Sequence, residues 1–254
     1  LPASSTTDTA SIVSGGANDA PVLLMAGSEP VAFYTFDDTS GGIAHDLQGT
    51  HDGTIYGATQ VQGQSGAALQ FDGDYVEVPD SPDWAFGSGD FSVVLWANFD
   101  SVPVGSEGAP VGGVLVAQDE GGGETNKWWI AAFNGNLGFH VNSPSIGPQF
   151  FGQTPFTPVP GQWYFIALTK SGSDYQFYID DELGGAANRS FAIPDANAPL
   201  TIGKGEAFYF DGALDGVGIY HRALSQAELQ QVYQNGAAAP EAKVAEGGLY
   251  QITT

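Results

Sequence analysis

From Val31 onward, the chain is a succession of short apolar or alternating segments separated by Gly, Asp and Asn. Segments this short, with apolar residues at every second position, are typical of strands that bury one face. The composition agrees, because 36 Gly and 15 Pro accompany 16 Phe, 10 Tyr and 5 Trp. The pattern predicts an all-β fold. About eleven segments follow it: VAFYTF, AALQF, YVEV, FSVVLWANF, VLVAQ, KWWIAAF, LGFHVN, WYFIALT, YQFYID, LTIG and GVGIY.

Two turns and one helix accompany these strands. Asn134-Gly135 and Asp180-Asp181 each stand beside apolar segments, where such pairs favour tight turns. Ser225 and Glu228 form an S-x-x-E capping box at the start of an apolar helical repeat, and Gly236 supplies a stop. The sequence therefore predicts a two-sheet antiparallel β-sandwich with one short C-terminal helix.

Composition divides the chain into three parts. Residues 1–30 are small and polar and are interpreted as a linker or the end of a preceding repeat. Residues 31–236 hold the strands and the helix and are expected to form one domain, and residues 237–254 are interpreted as a linker or the start of a following repeat. The first residues lack the basic start and apolar stretch of a signal peptide, so we expect the chain to come from a longer protein.

The charge balance excludes one class of partner. Only 6 Lys and Arg stand against 29 Asp and Glu, a formal net charge of −23, so nucleic-acid binding is excluded. Such charge repels itself, which predicts a need for salt or divalent cations; the alternative is that acidity only keeps the protein soluble. Cysteine is absent, so disulfides and thiolate sites are excluded, and no apolar run is long enough to predict insertion into a membrane.

Several stretches, taken in order, resemble the laminin-G-like jelly-roll family of the concanavalin-A-like superfamily. Their order and spacing match over residues 31–236. The resemblance implies a jelly-roll sandwich in a superfamily that holds lectins, glucanases and lyases. The chain departs from the family pattern where Gly216 and Gly218 stand in place of larger side chains. The stretches are VAFYTFDDTSG, HDLQGTHDGTIYG, GQSGAALQFDGDYVEVP, DFSVVLWANF and LTIGKGEAFYFDGALDGVGIYHRALSQAELQQVY.

The two flanks resemble a second kind of module. ANDAPVL near the start and VAEGGLYQITT at the end are similar to the edges of cadherin-like or immunoglobulin-like repeats of giant RTX adhesins.

The middle of the chain carries a narrower resemblance, because AQDEGGGETNKWWIAAFNGNLGFHVN is similar to a bacterial subgroup of the jelly-roll family. Together these resemblances imply a module of a bacterial surface adhesin.

A calcium site is the first candidate for chemistry, since calcium favours six to eight oxygen ligands on Asp- and Gly-rich backbone. The resemblance implies a structural Ca²⁺ that ties the first strand, the loop after it and the last strand together. Carried over by position, its ligands are Asp37 or Asp38, oxygens between Asp46 and Gly53, and Asp215. The alternative is that these Asp residues bond their own backbone in turns.

A carbohydrate site is the second candidate. Sugar recognition needs planar hydrogen-bonding groups for hydroxyl pairs and an aromatic face for the apolar side of the ring. Eight residues supply both and are the predicted ligand-binding set: Asp119, Glu120, Asn126, Lys127, Trp128, His140, Asn142 and Glu206.

Each member of this set also has a structural interpretation. Lys127 fits a surface strand, and a lone strand histidine such as His140 is usually packed or hydrogen-bonded. Alternation along the strand forces one of Trp128 and Trp129 inward and the other outward, and the resemblance favours Trp128 at the site. Tyr209 and the residue after it are interpreted either as a platform for sugar or protein or as loop packing.

Catalysis is not expected. Retaining glucanases of this fold carry two carboxylates on one strand at E-x-D-x-E-like spacing, and no such triplet occurs. Asp119 and Glu120 are adjacent, so on a strand they would face opposite ways, and no G-x-S-x-G elbow is present.

These observations predict a calcium-stabilised glycan-binding module of a secreted bacterial surface adhesin. Its partner would be a cell-surface or extracellular polysaccharide, and the module would be monomeric within a larger chain outside the cell. Two alternatives remain open. A structural spacer or protein-binding domain would bury Trp128 and leave the Asp119 loop disordered, and a polysaccharide-degrading enzyme would place two carboxylates in a deep cleft.

Overall fold

Alternation of apolar and polar residues gives most strands one buried side, and two antiparallel sheets stack on these sides. The computed structural model describes residues 29–106 and 108–237. The predicted terminal linkers, apart from residues 29, 30 and 237, lie outside the described residues. Within the described part, the strands are β1 (Ala32–Tyr34), β2 (Ile43–Ala44), β3 (Gly53–Tyr56), β4 (Thr59–Gln62), β5 (Ala67–Asp72), β6 (Tyr75–Val78), β7 (Phe91–Phe99), β8 (Val104–Ser106), β9 (Ala109–Val111), β10 (Val114–Asp119), β11 (Lys127–Phe133), β12 (Asn136–Asn142), β13 (Gln149–Pro155), β14 (Trp163–Ser171), β15 (Asp174–Ile179), β16 (Glu182–Asn188), β17 (Leu200–Ile202), β18 (Lys204–Gly205), β19 (Phe208–Tyr209) and β20 (Asp211–Tyr220).

The strands form two large sheets and two small hairpins. The first sheet has the order β16-β15-β14-β7-β20-β5-β4, with β1 also paired to β20, and the second has the order β13-β12-β11-β10-β17-β6-β3-β2. The hairpins are β8–β9 and β18–β19. Short 3₁₀ turns span Ser40–Gly42 and Pro82–Trp84, and helix α1 spans Gln226–Gln234. This confirms the predicted all-β, two-sheet antiparallel sandwich with one short helix.

Helix α1 covers the outer side of the first sheet. The Ser225 hydroxyl accepts from the Glu228 backbone, and the Glu228 carboxylate accepts in return from the Ser225 backbone at 2.8 Å, so the predicted capping box is confirmed. Leu229 and Val232 are buried against this sheet, and Tyr233 stacks on Trp96 at 5.4 Å. No helix in the described residues is long and apolar enough to cross a membrane.

The predicted turn at Asn134-Gly135 fixes the pairing of β11 with β12. Both residues have positive φ, 47° and 80°, as a type I′ turn requires, and this turn follows the natural twist of a hairpin. The register that results places Lys127 opposite Asn142 and Trp129 opposite His140. A two-residue turn therefore decides which polar side chains meet at the far end of the hairpin.

The two unusual glycines of β20 are required by close packing. A Cβ atom on Gly218 would lie 2.7 Å from the ring of Phe33, and one on Gly216 would lie 2.8 Å from the Ala237 backbone. Gly216 also has a φ of 55°, at an irregularity in the pairing of β20 with β7. The departure from the family pattern thus matches a local bulge that only glycine accommodates without strain.

Trp128 lies in the core between the sheets, which corrects the expectation that it faces the site and meets the burial that the spacer alternative expects. It is 0% exposed and packs against Phe86 and Phe139, with ring centroids 5.2 and 5.9 Å away. The period of two along β11 then turns Lys127 and Trp129 to the outer face of the second sheet.

Replacement of Trp128 with Ala tests this position. The change removes a fully buried indole, so we expect the free energy of unfolding to fall by about 3–5 kcal/mol in guanidinium denaturation. A fall below about 1 kcal/mol would be the result for a surface indole and would contradict the core position.

Candidate functional site

Three neighbouring strands of the second sheet carry a row of polar side chains on the outer face. Cross-strand pairing aligns Asp119 of β10 with Lys127 of β11, and Lys127 with Asn142 of β12. The next pair along the same face is Trp129 and His140, whose ring centroids lie 4.2 Å apart with an angle of 13° between the ring planes. Five side chains from three strands are thereby neighbours on one face. Together with Glu206, they are called the Lys127 cluster: Asp119, Lys127, Trp129, His140 and Asn142.

Lys127 is the centre of this cluster. Its side chain is 1% exposed, and its ammonium donates to the Gly121 carbonyl and to Oε1 of Glu206. Oδ1 of Asp119 lies 3.7 Å from the same nitrogen. Two acceptors thus take N–H bonds of the ammonium, and the Asp119 carboxylate adds an ion-pair partner, so the protein itself compensates this buried charge.

The loop between β10 and β11 folds over the cluster through its backbone. Asp119 accepts from the Gly121 N–H at 2.6 Å, and Asn142 donates its amide to the Gly123 carbonyl at 3.1 Å. Positions 121 to 123 are all glycine, so backbone groups alone hold this part of the loop on the sheet. Glu120 is exposed and accepts from Asn126 at the other end of the loop, at 3.2 Å.

The β18–β19 hairpin brings Glu206 to the cluster from 79 residues away in sequence. Glu206 stands at the turn of the hairpin with a φ of 51°, a left-handed conformation that is costly for a residue with a side chain. Phe208 on the other arm packs against the small apolar group around Trp129. Packing and an ion pair thus hold a strained residue in place.

Four buried polar atoms of the cluster have no hydrogen-bond partner. They are Oδ2 of Asp119, Nε1 of Trp129, Nδ1 of His140 and Oδ1 of Asn142. Each such atom costs the folded state about 1–3 kcal/mol of desolvation that no bond offsets. All four belong to neighbouring residues on one face, so this share of the cost falls in one place, while other described residues such as Trp128 and Asp215 carry further unpartnered atoms.

Burial also sets the protonation of the cluster. Desolvation, with a smaller contribution from the charge of Lys127, lowers the pKa of His140 to about 4, so the ring is neutral at pH 7. Desolvation raises the pKa of Asp119 above its usual value, against the opposing effects of the Gly121 N–H and of Lys127. The arrangement is therefore a neutral ring beside one cation and two carboxyl groups.

The structure gathers most of the predicted ligand-binding residues. Asp119, Lys127, His140, Asn142 and Glu206 meet in the cluster, and Glu120 and Asn126 flank it on the loop. Trp128 is on the opposite side of the sheet, in the core. The indole in the cluster is that of Trp129, which shares the face of Lys127.

The predicted metal ligands fall into separate places. Asp46 is buried and accepts backbone N–H bonds from Phe33, Gln48, Thr50 and His51, so its oxygens organise the loop after β2. A Cβ atom on Gly53 would lie 2.6 Å from a valine side chain, which explains the glycine by packing.

Asp37 and Asp215, in contrast, meet at the turn between β4 and β5. Asp37 accepts from Ala67 at 2.8 Å, Oδ2 of Asp215 accepts from Gln64 and Ser65 at 2.9 and 3.2 Å, and Oδ1 of Asp215 is buried without a partner. Burial raises the pKa of Asp215 to about 7, and the charge of Asp37 adds to the rise.

Asp38 does not belong to this pair. It accepts from Ser40 at 2.9 Å, and this bond lowers its pKa. Among residues 29–106 and 108–237, no group of three or more His, Cys, Asp or Glu side chains is arranged to hold a metal ion. Among the predicted metal ligands, Asp37 and Asp215 are the pair that converges, at the β4–β5 turn.

Comparison with known proteins identifies the family of the described domain. A family model described as the concanavalin A-like lectin/glucanases superfamily matches residues 71–230. No sequence among curated proteins matches the chain.

Solved structures show the same architecture. Domain 4 of AbnA, a GH43 extracellular arabinanase from Geobacillus stearothermophilus, solved with arabinotriose, is 20% identical with a TM-score of 0.63, and the match covers 84% of this chain and 98% of that one. The binding domain of Paraclostridial Mosquitocidal Protein 1 is 17% identical with a TM-score of 0.60, over 82% and 52% of the two chains. A Trypanosoma rangeli sialidase is 17% identical with a TM-score of 0.57, over 85% and 36%. This chain thus spans about half of the mosquitocidal-protein binding domain and about a third of the sialidase, and identities this low show likeness of fold.

Acidification tests the burial of His140. Its pKa of about 4 in the folded state lies below the ordinary 6.5, so unfolding takes up a proton between these values. The free energy of unfolding should therefore fall as the pH drops from 6.5 to 4, with about 3 kcal/mol of the loss due to His140. We expect His140→Phe to lose less stability than the wild-type protein over this interval in urea denaturation. Equal losses in both proteins would contradict the shift.

Proposed function

The chain belongs to the concanavalin A-like lectin/glucanase superfamily, and from this premise we propose that it is a glycan-binding module whose site is the Lys127 cluster. In full, the proposal is a calcium-stabilised module of a secreted bacterial surface adhesin, monomeric within a larger chain and acting outside the cell. The fold is one that structural neighbours use around sugars, as in the AbnA domain solved with arabinotriose.

The observation that carries the proposal is the set of four unpartnered polar atoms on one face. A sugar hydroxyl both donates and accepts, so hydroxyl pairs suit a site that offers a carboxylate oxygen, an amide oxygen, an imidazole nitrogen and an indole N–H. Bonds to these atoms would recover the desolvation cost already present in the folded state. The stacked rings of Trp129 and His140 add an aromatic wall.

Access to the cluster is through the loop from Glu120 to Asn126. The carbonyls of Gly121 and Gly123 occupy the donors of Lys127 and Asn142, and hydroxyl oxygens can replace carbonyl oxygens at these donors. Exchange of one hydrogen bond for a similar one changes the free energy little. In this proposal the loop lifts as the sugar binds, and a neutral sugar is favoured because two carboxyl groups surround one cation.

The same contacts favour binding over hydrolysis. A glycosidase of the retaining or inverting type needs two carboxyl groups that flank the scissile bond. Here Glu206 is bonded to the Lys127 ammonium and Asp119 lies beside it, so both are directed at one internal cation. A site of this size gives weak binding to one sugar, and many modules on one surface would supply avidity.

A His140→Phe variant tests the site. Phenylalanine keeps the stack on Trp129 and removes the unpartnered Nδ1, so we expect glycan-array binding to disappear while the free energy of unfolding at pH 7 rises by about 1 kcal/mol. The matched control is His45→Phe, which changes an exposed histidine in the loop after β2 and should keep binding. Retained binding in His140→Phe would mean that the ring serves packing, and a loss of stability would contradict the absence of a partner for Nδ1.

Calcium is proposed at the β4–β5 turn. Asp37 and Asp215 converge there, and the buried, unpartnered Oδ1 of Asp215 is the oxygen that a cation would neutralise. Backbone carbonyls and water would have to complete the six or more ligands that Ca²⁺ takes. Binding would relieve the repulsion between the two carboxylates in a chain of net charge −23.

Thermal unfolding with Ca²⁺ and with chelator tests this role. At a hundredfold excess over Kd, we expect Ca²⁺ to add about 2.7 kcal/mol, which raises the Tm by about 5–10 °C. Asp215→Asn should abolish the rise. Asp46→Ala should lower the Tm in both conditions and keep the rise, because Asp46 bonds backbone groups. An unchanged Tm in the wild-type protein would contradict calcium binding.

A further inference from the structure

A second group of side chains lies on the outer face of the second sheet, beyond the β18–β19 hairpin from the Lys127 cluster. Tyr56 of β3 stands directly opposite Tyr75 of β6 in the strand register. Lys204 and Tyr209, a cross-strand pair of the hairpin, lie against Tyr75. We call these four residues the tyrosine platform.

Stacking fixes the rings of this platform. The rings of Tyr56 and Tyr75 are 4.8 Å apart at 15°, and the Lys204 ammonium lies 4.0 Å from the centroid of Tyr75. Tyr75 is thus held by contacts with both Lys204 and Tyr56. Tyr56 at the same time keeps 44% of its surface exposed.

Packing does not account for the platform. The neighbouring Ile55 and Val76 face the core, so the period of two puts Tyr56 and Tyr75 on the solvent side. Tyr56 is 44% exposed, although a tyrosine buried in the core would contribute more to stability. Lys204 makes no salt bridge with any described residue of this acidic chain and instead holds the ring of Tyr75.

We infer that the exposed ring of Tyr56 is the stacking surface of a second sugar subsite, continuous with the Lys127 cluster; this rests on the proposed function. A sugar ring has one face of C–H groups that packs flat on an exposed aromatic ring and an edge of hydroxyls that stays hydrated. A pre-stacked tyrosine suits this contact because its orientation is set before binding. The four-carbon stem and ammonium of Lys204 keep that orientation.

The spacing of the two subsites specifies the size of the ligand. Four strand intervals separate β11 from β3 in the second sheet, through β10, β17 and β6. At about 4.8 Å for each interval, the subsites lie about 19 Å apart. One sugar ring cannot reach both, so the ligand is a neutral oligosaccharide of several units.

The β18–β19 hairpin joins the two subsites. Glu206 at its turn bonds Lys127 of the first subsite, and Lys204 and Tyr209 at its base contact Tyr75 of the second. The six consecutive residues 204–209 thus link the two subsites. A glycan that crosses the hairpin would contact both subsites. Multiple weak contacts along one glycan raise the affinity as chain length grows.

Calorimetric titration with arabino-, xylo- and cello-oligosaccharides of two to six units tests the inference. In the series that binds, we expect wild-type affinity to rise with length and Tyr56→Ala to weaken binding of the longest member about tenfold, with the disaccharide unaffected. Tyr56→Phe keeps the ring and should bind as the wild-type protein does. Circular dichroism checks that the exposed substitution leaves the fold intact.

Each outcome separates the two proposals. Binding that does not depend on length, or Tyr56→Ala with wild-type affinity for every length, overturns the second subsite and leaves the first. Equal weakening of short and long sugars by Tyr56→Ala also overturns it, because the tyrosine would then belong to a single site. Absence of binding to all three series by the wild-type protein overturns the proposed function for neutral glycans of these classes and the second subsite with it.

Discussion

The buried ammonium of Lys127 joins the loop that precedes it to a hairpin that lies 79 residues away in sequence. Burial of an ammonium costs several kcal/mol, and this chain offsets the cost with the Gly121 carbonyl and the carboxylates of Glu206 and Asp119. Loss of the cation would leave two carboxyl groups facing each other beneath the loop. The ammonium therefore joins the loop and the β18–β19 hairpin on the second sheet, where backbone bonds and the packing of Phe208 also hold them.

The contacts of the Lys127 cluster compensate the charge of the ammonium but leave hydrogen-bonding atoms of the neighbouring side chains without partners. The ammonium uses the Gly121 carbonyl, while Asp119, His140 and Asn142 each keep one atom without a partner. A sequence selected for stability alone would replace these atoms with apolar ones, because an unpartnered buried group costs more than it returns. Polar groups retained at such a cost on one face are typical of a binding site, where the missing partner is the ligand.

Local patterns predicted the features that depend on local physics. Strand period, the Asn134-Gly135 turn and the Ser225 capping box are decided within a few residues, and each is confirmed. The prediction that Trp128 faces the site is wrong for a physical reason. Lys127 must keep its charged end away from the apolar core, and the period of two along β11 then puts Trp129 on the face of Lys127. Asp46 shows a different limit, because a carboxylate in a Gly-rich loop suits backbone N–H groups and a cation equally well.

Contacts between distant segments need the order of strands, which no local pattern contains. Glu206 reaches Lys127 across 79 residues because β17 lies beside β10 in the sheet and the hairpin that follows β17 folds back over β10. The same order places β6 and β3 beyond β17, so Tyr56 and Tyr75 share a face with the cluster although they precede it by more than forty residues. Strand order, set by how the two sheets bury their apolar sides, thus determines which polar side chains become neighbours on the face left outside.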